Sequence, residues 1–299
     1  MSEIGNASGT DPDTGKRERS IRLPFRIKVE PIVLGLLATL AYLFVLAPMV
    51  VVIGASLHGR GLYTAAQFPP TDISLYWYGQ IPQSQLRALG LSLVLGAITA
   101  LFAAVLGVPA ALGIVRGSFP GRALVASIFR APLQIPAVVT GIAILQLYYF
   151  VLASWGIGLP GSFFGLAIAH VFIGLPFVIG SVTAVLQRFD QRLEEAAAIH
   201  GARPWRVFTR VTLPVILPGV YAGALYAFMV SFADVPVAIF LTSPGYQTYP
   251  VEIFYALEND FTPAVLASAS LVILFCFVLL LGVQRIVGLD NLLRSGGGR

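Results

Sequence analysis

The chain has 299 residues, of which 57% are hydrophobic and only 11% are charged, and its formal net charge is +5. Soluble globular domains carry about 25% charged residues, so this composition excludes an ordinary soluble domain. Several apolar runs reach the roughly 20 residues that a helix needs to cross a bilayer, and none shows the alternation of a transmembrane strand. The composition therefore predicts an all-α, polytopic transmembrane helical bundle.

Residues 1–28 are predicted to form a disordered, basic tail, because they are rich in Ser, Gly, Thr and Asp and contain six Lys and Arg residues. The apolar run that follows exceeds the roughly 7–15 residues of a signal-peptide core, so we interpret it as a retained anchor. A six-span transmembrane domain is predicted over residues 29–287, followed by a cytoplasmic C-terminal tail over 288–299. The predicted spans cover residues 31–57, 88–115, 125–153, 162–186, 215–241 and 263–286.

The distribution of basic residues predicts the orientation of these spans. Of the 19 Lys and Arg residues, all but Arg60 and Arg87 fall in segments on one side of the membrane. The polar segment 188–215 carries several of them: Arg188, Arg192, Arg203, Arg206 and Arg210. Because Lys and Arg accumulate in cytoplasmic loops, both termini and the segment 188–215 are predicted to be cytoplasmic.

The sequence lacks the motifs of common catalytic and cofactor sites. Lysine occurs only at Lys16 and Lys28, so no GxxxxGK(S/T) phosphate-binding loop exists. No HExxH zinc motif and no GxSxG nucleophile motif occur, and the histidines lack metal-ligand spacing. The basic residues lie beside apolar spans rather than among exposed aromatic residues, which argues against nucleic-acid binding. We therefore predict no enzyme activity, no metal and no cofactor on this chain.

The longest polar interruption between the apolar runs begins with a predicted short helix. Asp190 can cap this helix, and Glu194 and Glu195 in its first turns favour the positive end of the helix dipole. The alanines Ala196–Ala198 have high helix propensity. Gly201 falls where a residue in the left-handed conformation would end the helix, and glycine adopts that conformation without steric cost.

A second short helix is predicted after the glycine. Pro204 suits its first position, and Trp205 and Phe208 share one of its faces. Leu213 and Pro214 then lead back into the bilayer. Local chemistry leaves two alternatives, an interfacial helix lying on anionic lipid or a docking element for another protein. The small side chains of the first helix favour docking, because another surface can approach them closely, but they do not decide the question.

The spacing of residues in this segment matches a longer pattern. Glu195-Ala196-Ala197 is followed after three residues by Gly201, and after nine more by Val211-x-Leu213-Pro214. This order resembles the EAA loop of ABC importer permeases, whose pattern is E-A-A-x3-G-x9-I-x-L-P, with valine here in place of isoleucine. Phe208 and Pro218 also fall where such permeases commonly carry Phe and Pro.

The resemblance implies a permease subunit of a type I ABC importer in the bacterial inner membrane. Such permeases pair with a second permease, bind two ATP-hydrolysing subunits on the cytoplasmic side, and receive solute from an extracytoplasmic binding protein. ATP and Mg²⁺ would then be held by the partner ATPase. The resemblance covers about residues 55–285. The residues that it assigns to ATPase coupling are Glu195, Ala196, Ala197, Gly201, Phe208, Leu213 and Pro214.

The fifth span and the segment after it carry a narrower resemblance. Ser231–Pro236, Phe240–Gly245 and Tyr249–Ile253 are similar to the spermidine/putrescine-type, PotC-like subgroup of these permeases. That subgroup often has an acidic pair after the serine, and here Ala233 replaces its first member. The resemblance implies a polyamine or a related amine or amino-acid-like solute.

Asp234 is the only carboxylate well inside an apolar span. An ionisable group there is costly unless it faces water or a partner, so it is a candidate for function. We hypothesise that Asp234, together with Ser231, lines the translocation path and favours an ammonium-bearing solute. The alternative is a structural aspartate that caps a broken helix near Pro236 or bonds to Ser231.

The alternative function is that of a secondary transporter driven by an ion gradient. Such a transporter would carry more ionisable residues within its spans and an inverted repeat, and neither is visible in this sequence. His170 in the fourth span could serve as a proton relay in that mechanism. We predict instead that His170 is a packed side chain.

Overall fold

The computed structural model describes residues 29–59, 68–259 and 261–295, so the tail predicted over residues 1–28 lies outside the described residues. The described residues are largely helical, as predicted, and their one β-type contact is an isolated bridge between His58 and Ile73. The helices are α1 (Val29–Ser56), α2 (Gln83–Arg116), α3 (Arg122–Arg130), α4 (Ala137–Gln146), α5 (Phe163–Leu186), α6 (Arg192–Ile199), α7 (Pro204–Val207), α8 (Leu213–Ala233), α9 (Ala238–Leu241), α10 (Tyr249–Asn259) and α11 (Pro263–Ser295).

The chain forms two compact units, Met1–Pro48 and Met49–Arg299. In the first unit the described side chains of α1, from Val33 to Pro48, are all exposed. A helix that is apolar on every side is suited to contact with lipid or with other helices. This segment is therefore consistent with the predicted membrane anchor.

The core of the second unit lies where α2, α5 and α8 pack against one another. One apolar cluster contains Leu95, Leu166 and Val237, and a second contains Val178 and Ile216. Each cluster draws side chains from three different parts of the chain. The three long helices therefore form the scaffold on which the shorter elements are held.

Glycine allows α5 and α8 to approach closely. A Cβ atom built at Gly223 of α8 would lie 2.6 Å from the Cα atom of Val178 on α5, and 3.2 Å from the backbone oxygen of Phe177. Both are backbone atoms, so a side chain at this position would force the two helices apart. Small residues are typical of helix contacts in membranes, where close packing rather than water exclusion drives association.

The predicted third span, 125–153, is wrong at its start. Pro132 and Pro136 interrupt the helix, so α3 is a separate short helix and the spanning helix is Ala137–Trp155. This helix includes α4, a π-helical stretch and a final 3-10 turn. The apolar run continues across the two prolines. The helix does not, because proline lacks a backbone N–H donor and disfavours the helical conformation of the residue before it.

The predicted loop 188–215 and the predicted fifth span also differ from the structure. The second helix of the loop does not end before the bilayer, because Pro204–Ala233 is continuously helical. A π-helical stretch, Phe208–Thr212, joins α7 to α8. Such local adjustments let a membrane helix accommodate proline, here Pro214 in the first turn of α8. The predicted span 215–241 breaks after α8, and α9 follows as a separate short helix.

Five helices among the described residues are long and apolar enough to cross a membrane. The predicted sixth span corresponds to α11, in which the shorter segment Pro263–Leu279 is apolar. The backbone of α11 continues as helix to Ser295, through much of the predicted tail 288–299. The fold is thus the predicted helical bundle, with the polar segment leading directly into its fifth spanning helix.

Candidate functional site

The turn between α6 and α7 has the predicted left-handed glycine. Gly201 has a φ of +78°. The amide of Gly201 donates to the carbonyl of Ala198 at 2.9 Å, and the amide of Ala202 donates to the carbonyl of Ala197 at 3.1 Å. This pair of bonds is the Schellman arrangement, which satisfies the last carbonyls of a helix and reverses the chain. At the other end of α6, Asp190 Oδ1 accepts from the amide of Arg192 at 3.0 Å.

The second helix of the segment is fixed to the bundle by its apolar side chains. Pro204 occupies its first turn, as predicted, and the rings of Trp205 and Phe208 lie 5.7 Å apart. Phe208 and Leu213 pack against the apolar cluster that contains Ile216. Two of the residues assigned to ATPase coupling therefore hold α7 and α8 in place from the inside.

The same segment also exposes large apolar side chains. Ile199 is 85% exposed, Trp205 is 71% exposed and Leu193 is 54% exposed. Glu195 and Ala196 are exposed beside them. Large exposed apolar side chains favour contact with another protein or with a membrane. We call this surface, formed by Leu193, Glu195, Ala196, Ile199, Gly201 and Trp205, the α6–α7 surface.

Behind the α6–α7 surface lies an ion pair that joins distant parts of the chain. Nη2 of Arg116, the last residue of α2, lies 2.8 Å from Oε1 of Glu194 on α6. The hydroxyl of Thr212 donates to the same Glu194 oxygen. The guanidinium carbon of Arg116 also lies 5.6 Å from the centre of the Phe189 ring.

Asp234 lies at the break between α8 and α9, far along α8 from the polar segment. Its Oδ2 atom accepts from the amide of Val237 at 3.1 Å and from the amide of Ala238 at 2.7 Å. Asp234 is buried, with 8% of its surface exposed. These contacts are those of a helix cap, which satisfies the first amides of α9. The geometry thus provides the structural role that was the alternative to a path residue, and the path role stays a prediction.

Ser231 belongs to a buried polar chain that links three helices. Its hydroxyl lies 2.8 Å from Nδ1 of His170 on α5 and 3.1 Å from the hydroxyl of Thr99 on α2. The other ring nitrogen of His170 lies 4.0 Å from Oδ2 of Asp234. His170 and Thr99 are fully buried. His170 is therefore the packed side chain that the sequence predicts.

The structure brings together side chains whose partners could not be identified from the sequence. From the sequence, Glu194 is assigned only a role at the helix dipole, and Thr99 and Arg116 are assigned none. No local spacing pairs Arg116 with Glu194, because they are distant in sequence and meet only in the tertiary structure. The cap at Asp234 had a signal, since an aspartate two residues before Pro236 and a short apolar run is typical of a helix start.

Comparison with known families places the chain among transport proteins. Residues 103–288 match the family described as binding-protein-dependent transport system inner membrane component. The chain is 34% identical to the putrescine transport system permease protein PotI of Escherichia coli (strain K12), over 85% of this chain and 87% of that protein. It is 30% identical to the spermidine/putrescine transport system permease protein PotC of the same strain, over 70% of this chain and 78% of that protein.

A solved structure shares the fold at low sequence identity. It is a bacterial ABC transporter involved in the import of the acidic polysaccharide alginate, with a TM-score of 0.67 and 17% identity. The match covers 86% of this chain and 96% of that chain. The family match and the two permease relatives confirm the importer permease implied by the EAA-like segment, and the chain belongs to the family of binding-protein-dependent transport system inner membrane components.

Proposed function

We propose that this chain is one of two permease subunits of an ATP-driven importer of polyamines or related amines. A second permease subunit, identical or homologous, completes the translocation path. Two ATP-hydrolysing subunits bind on the cytoplasmic side, and an extracytoplasmic binding protein delivers the solute. ATP and Mg²⁺ are held on the ATPase subunits. The chain crosses the inner membrane of a bacterium with both termini in the cytoplasm, as its basic residues predict.

The observation that carries this proposal is the α6–α7 surface. A Schellman turn at Gly201 joins two short helices, and Ile199 and Trp205 are largely exposed. Phe208 and Leu213 pack against the core of the bundle, so the position of this segment is fixed and its exposed side chains stay accessible. An exposed apolar surface on a fixed support has the properties of a protein docking site. We assign the docking of an ATPase subunit to it.

An amine as the solute is supported by the curated relatives and by exposed tyrosines on α8. PotI and PotC are named as putrescine and spermidine/putrescine permeases. Tyr221 and Tyr226 are each 57% exposed, and the Tyr226 ring stacks on Phe177 with centroids 6.3 Å apart. Aromatic rings attract ammonium groups through their negative faces. We place the amine path beside α8. The contacts of Asp234 support a capping role at the break after α8, and the role of Asp234 and Ser231 in lining the path stays a prediction.

Transport by the reconstituted importer tests this proposal. The chain is assembled with its partner subunits and binding protein in vesicles, and uptake of labelled putrescine is measured with and without ATP. A dicarboxylate of similar length is the matched solute control. We expect ATP-dependent uptake of the diamine alone. Uptake that needs an ion gradient but no ATP would overturn the importer, and ATP-dependent uptake of only the dicarboxylate would overturn the assignment of an amine.

A further inference from the structure

One carboxylate joins three segments of the chain behind the α6–α7 surface. Glu194 lies in the first turn of α6, Arg116 ends α2, and Thr212 ends the π-helical stretch before α8. Oε1 of Glu194 lies 2.8 Å from Nη2 of Arg116 and accepts from the hydroxyl of Thr212. Nη2 of Arg116 makes no hydrogen bond among the described residues, so this contact is an ion pair rather than a directed bond.

The surroundings of the pair protect it from water. The side chains of Arg116 and Glu194 are 25% and 18% exposed, and Thr212 is fully buried. The Phe189 ring, just before α6, lies beside the guanidinium group. Ion pairs that are partly buried are screened less than pairs on the open surface, and losing one partner leaves the other without compensation.

Two adjacent acidic residues of α6 therefore have different surroundings. Successive residues of a helix are about 100° apart around its axis. Glu194 contacts Arg116 and Thr212, whereas Glu195 borders the same cleft but is exposed. Glu195 is available to a partner, whereas the carboxylate of Glu194 is already engaged within the chain.

The ion pair adds a second connection between the docking surface and the membrane helices. α6 is linked to α8 by the chain itself, through α7 and the π-helical stretch. The contact of Glu194 with Arg116 connects α6 directly to α2, which packs against both α5 and α8. We propose that Arg116 and Glu194 are positioning residues that transmit movement of the α6–α7 surface to α2 during transport. This inference rests on the proposed importer function.

The complete importer, reconstituted as above, tests this role with neutral variants of the pair. In Arg116→Gln and Glu194→Gln the exposed surface is unchanged, so we expect the ATPase to co-purify at the wild-type level. Solute uptake is expected to fall by about tenfold, within the range of ordinary coupling between sites. ATP hydrolysis is expected to fall less, so that more ATP is consumed for each solute transported. Arg130→Gln, which removes an exposed arginine near the same end of the bundle, is the matched control and should behave as wild type.

Restoration of the charge pair distinguishes transmission from a general loss of structure. The exchanged double variant Arg116→Glu/Glu194→Arg keeps opposite charges at the two positions, and Arg116→Lys keeps the positive charge. Both are expected to recover at least part of the uptake lost in the neutral variants. Unchanged uptake in the neutral variants, loss of ATPase co-purification from them, or no recovery by either restored variant would overturn the proposal. Failure of the importer function itself would appear separately, as a wild-type chain without ATP-dependent uptake.

Discussion

The left-handed turn at Gly201 gives the sharpest prediction, because its cost can be worked from one backbone angle. Gly201 has a φ of +78°, and a Cβ atom added there would meet no atom within 4 Å. A substitution is therefore opposed by backbone conformation alone and not by a clash. The left-handed conformation costs an L-residue about 1–2 kcal/mol, and β-branching at Val adds further restriction. Gly201→Val should reduce the population of the native turn by about 5- to 30-fold.

The assay is co-purification of the ATPase with the permease, together with ATP-dependent uptake in vesicles. Gly201→Val should lower both while the chain still inserts into the membrane, since α6 and α7 lie outside the packed core. Gly201→Asn is the matched control, because asparagine tolerates the left-handed conformation better than other residues with a side chain. It should retain most activity, with Gly201→Ala between the two. Equal activity of all three variants, or equal damage by Asn and Val, would refute the role of the turn.

Two further predictions concern the packing of the bundle. Asp234→Asn should preserve the cap on α9 and keep uptake within about twofold of wild type, because asparagine caps helices as well as aspartate does. Asp234→Leu should lower the thermal midpoint of the purified complex, since each unsatisfied amide costs about 1–3 kcal/mol. Complete loss of uptake in an assembled Asp234→Asn complex would instead place its charge in the path. Gly223→Ala should destabilise the complex by about 1–3 kcal/mol, because the new methyl group would meet the backbone of Val178. Gly180→Ala, at a helical position with open space around it, should leave the stability of the complex unchanged. Equal thermal midpoints for Gly223→Ala and Gly180→Ala would contradict the close contact of α5 and α8.

Hydropathy located the long helices α2, α5 and α8, because each contains a long apolar run. It misplaced the third span, since an apolar run does not reveal that Pro132 and Pro136 end one helix and begin another. The same limitation hid the break after α8, although Asp234 carried a capping signal. Length and composition define where the chain can cross the membrane, whereas breaks depend on individual backbone donors and acceptors.

The polar segment was predictable to the extent that its geometry is local. The cap at Asp190, the turn at Gly201 and the start at Pro204 each depend on a few neighbouring residues, and all three occur in the structure. The continuation of the second helix into the membrane was not predicted, because Leu213 and Pro214 were interpreted as a boundary. Contacts between helices arise from tertiary packing and have no local sequence pattern. Examples are the Arg116–Glu194 ion pair and the hydrogen bonds that connect Thr99, Ser231 and His170.

Site-directed cross-linking tests the central claim, that the α6–α7 surface docks an ATPase subunit. In a Cys276→Ser background, Ile199→Cys places a single thiol at a position that is 85% exposed in the wild-type chain. Leu257→Cys, at a position on α10 that is 50% exposed, is the control on the side predicted to lie outside the cell. A bifunctional thiol–amine reagent added to the assembled importer should link the chain to the ATPase subunit through Ile199→Cys and not through Leu257→Cys. Equal linkage from both positions, or linkage only from α10, would contradict the account.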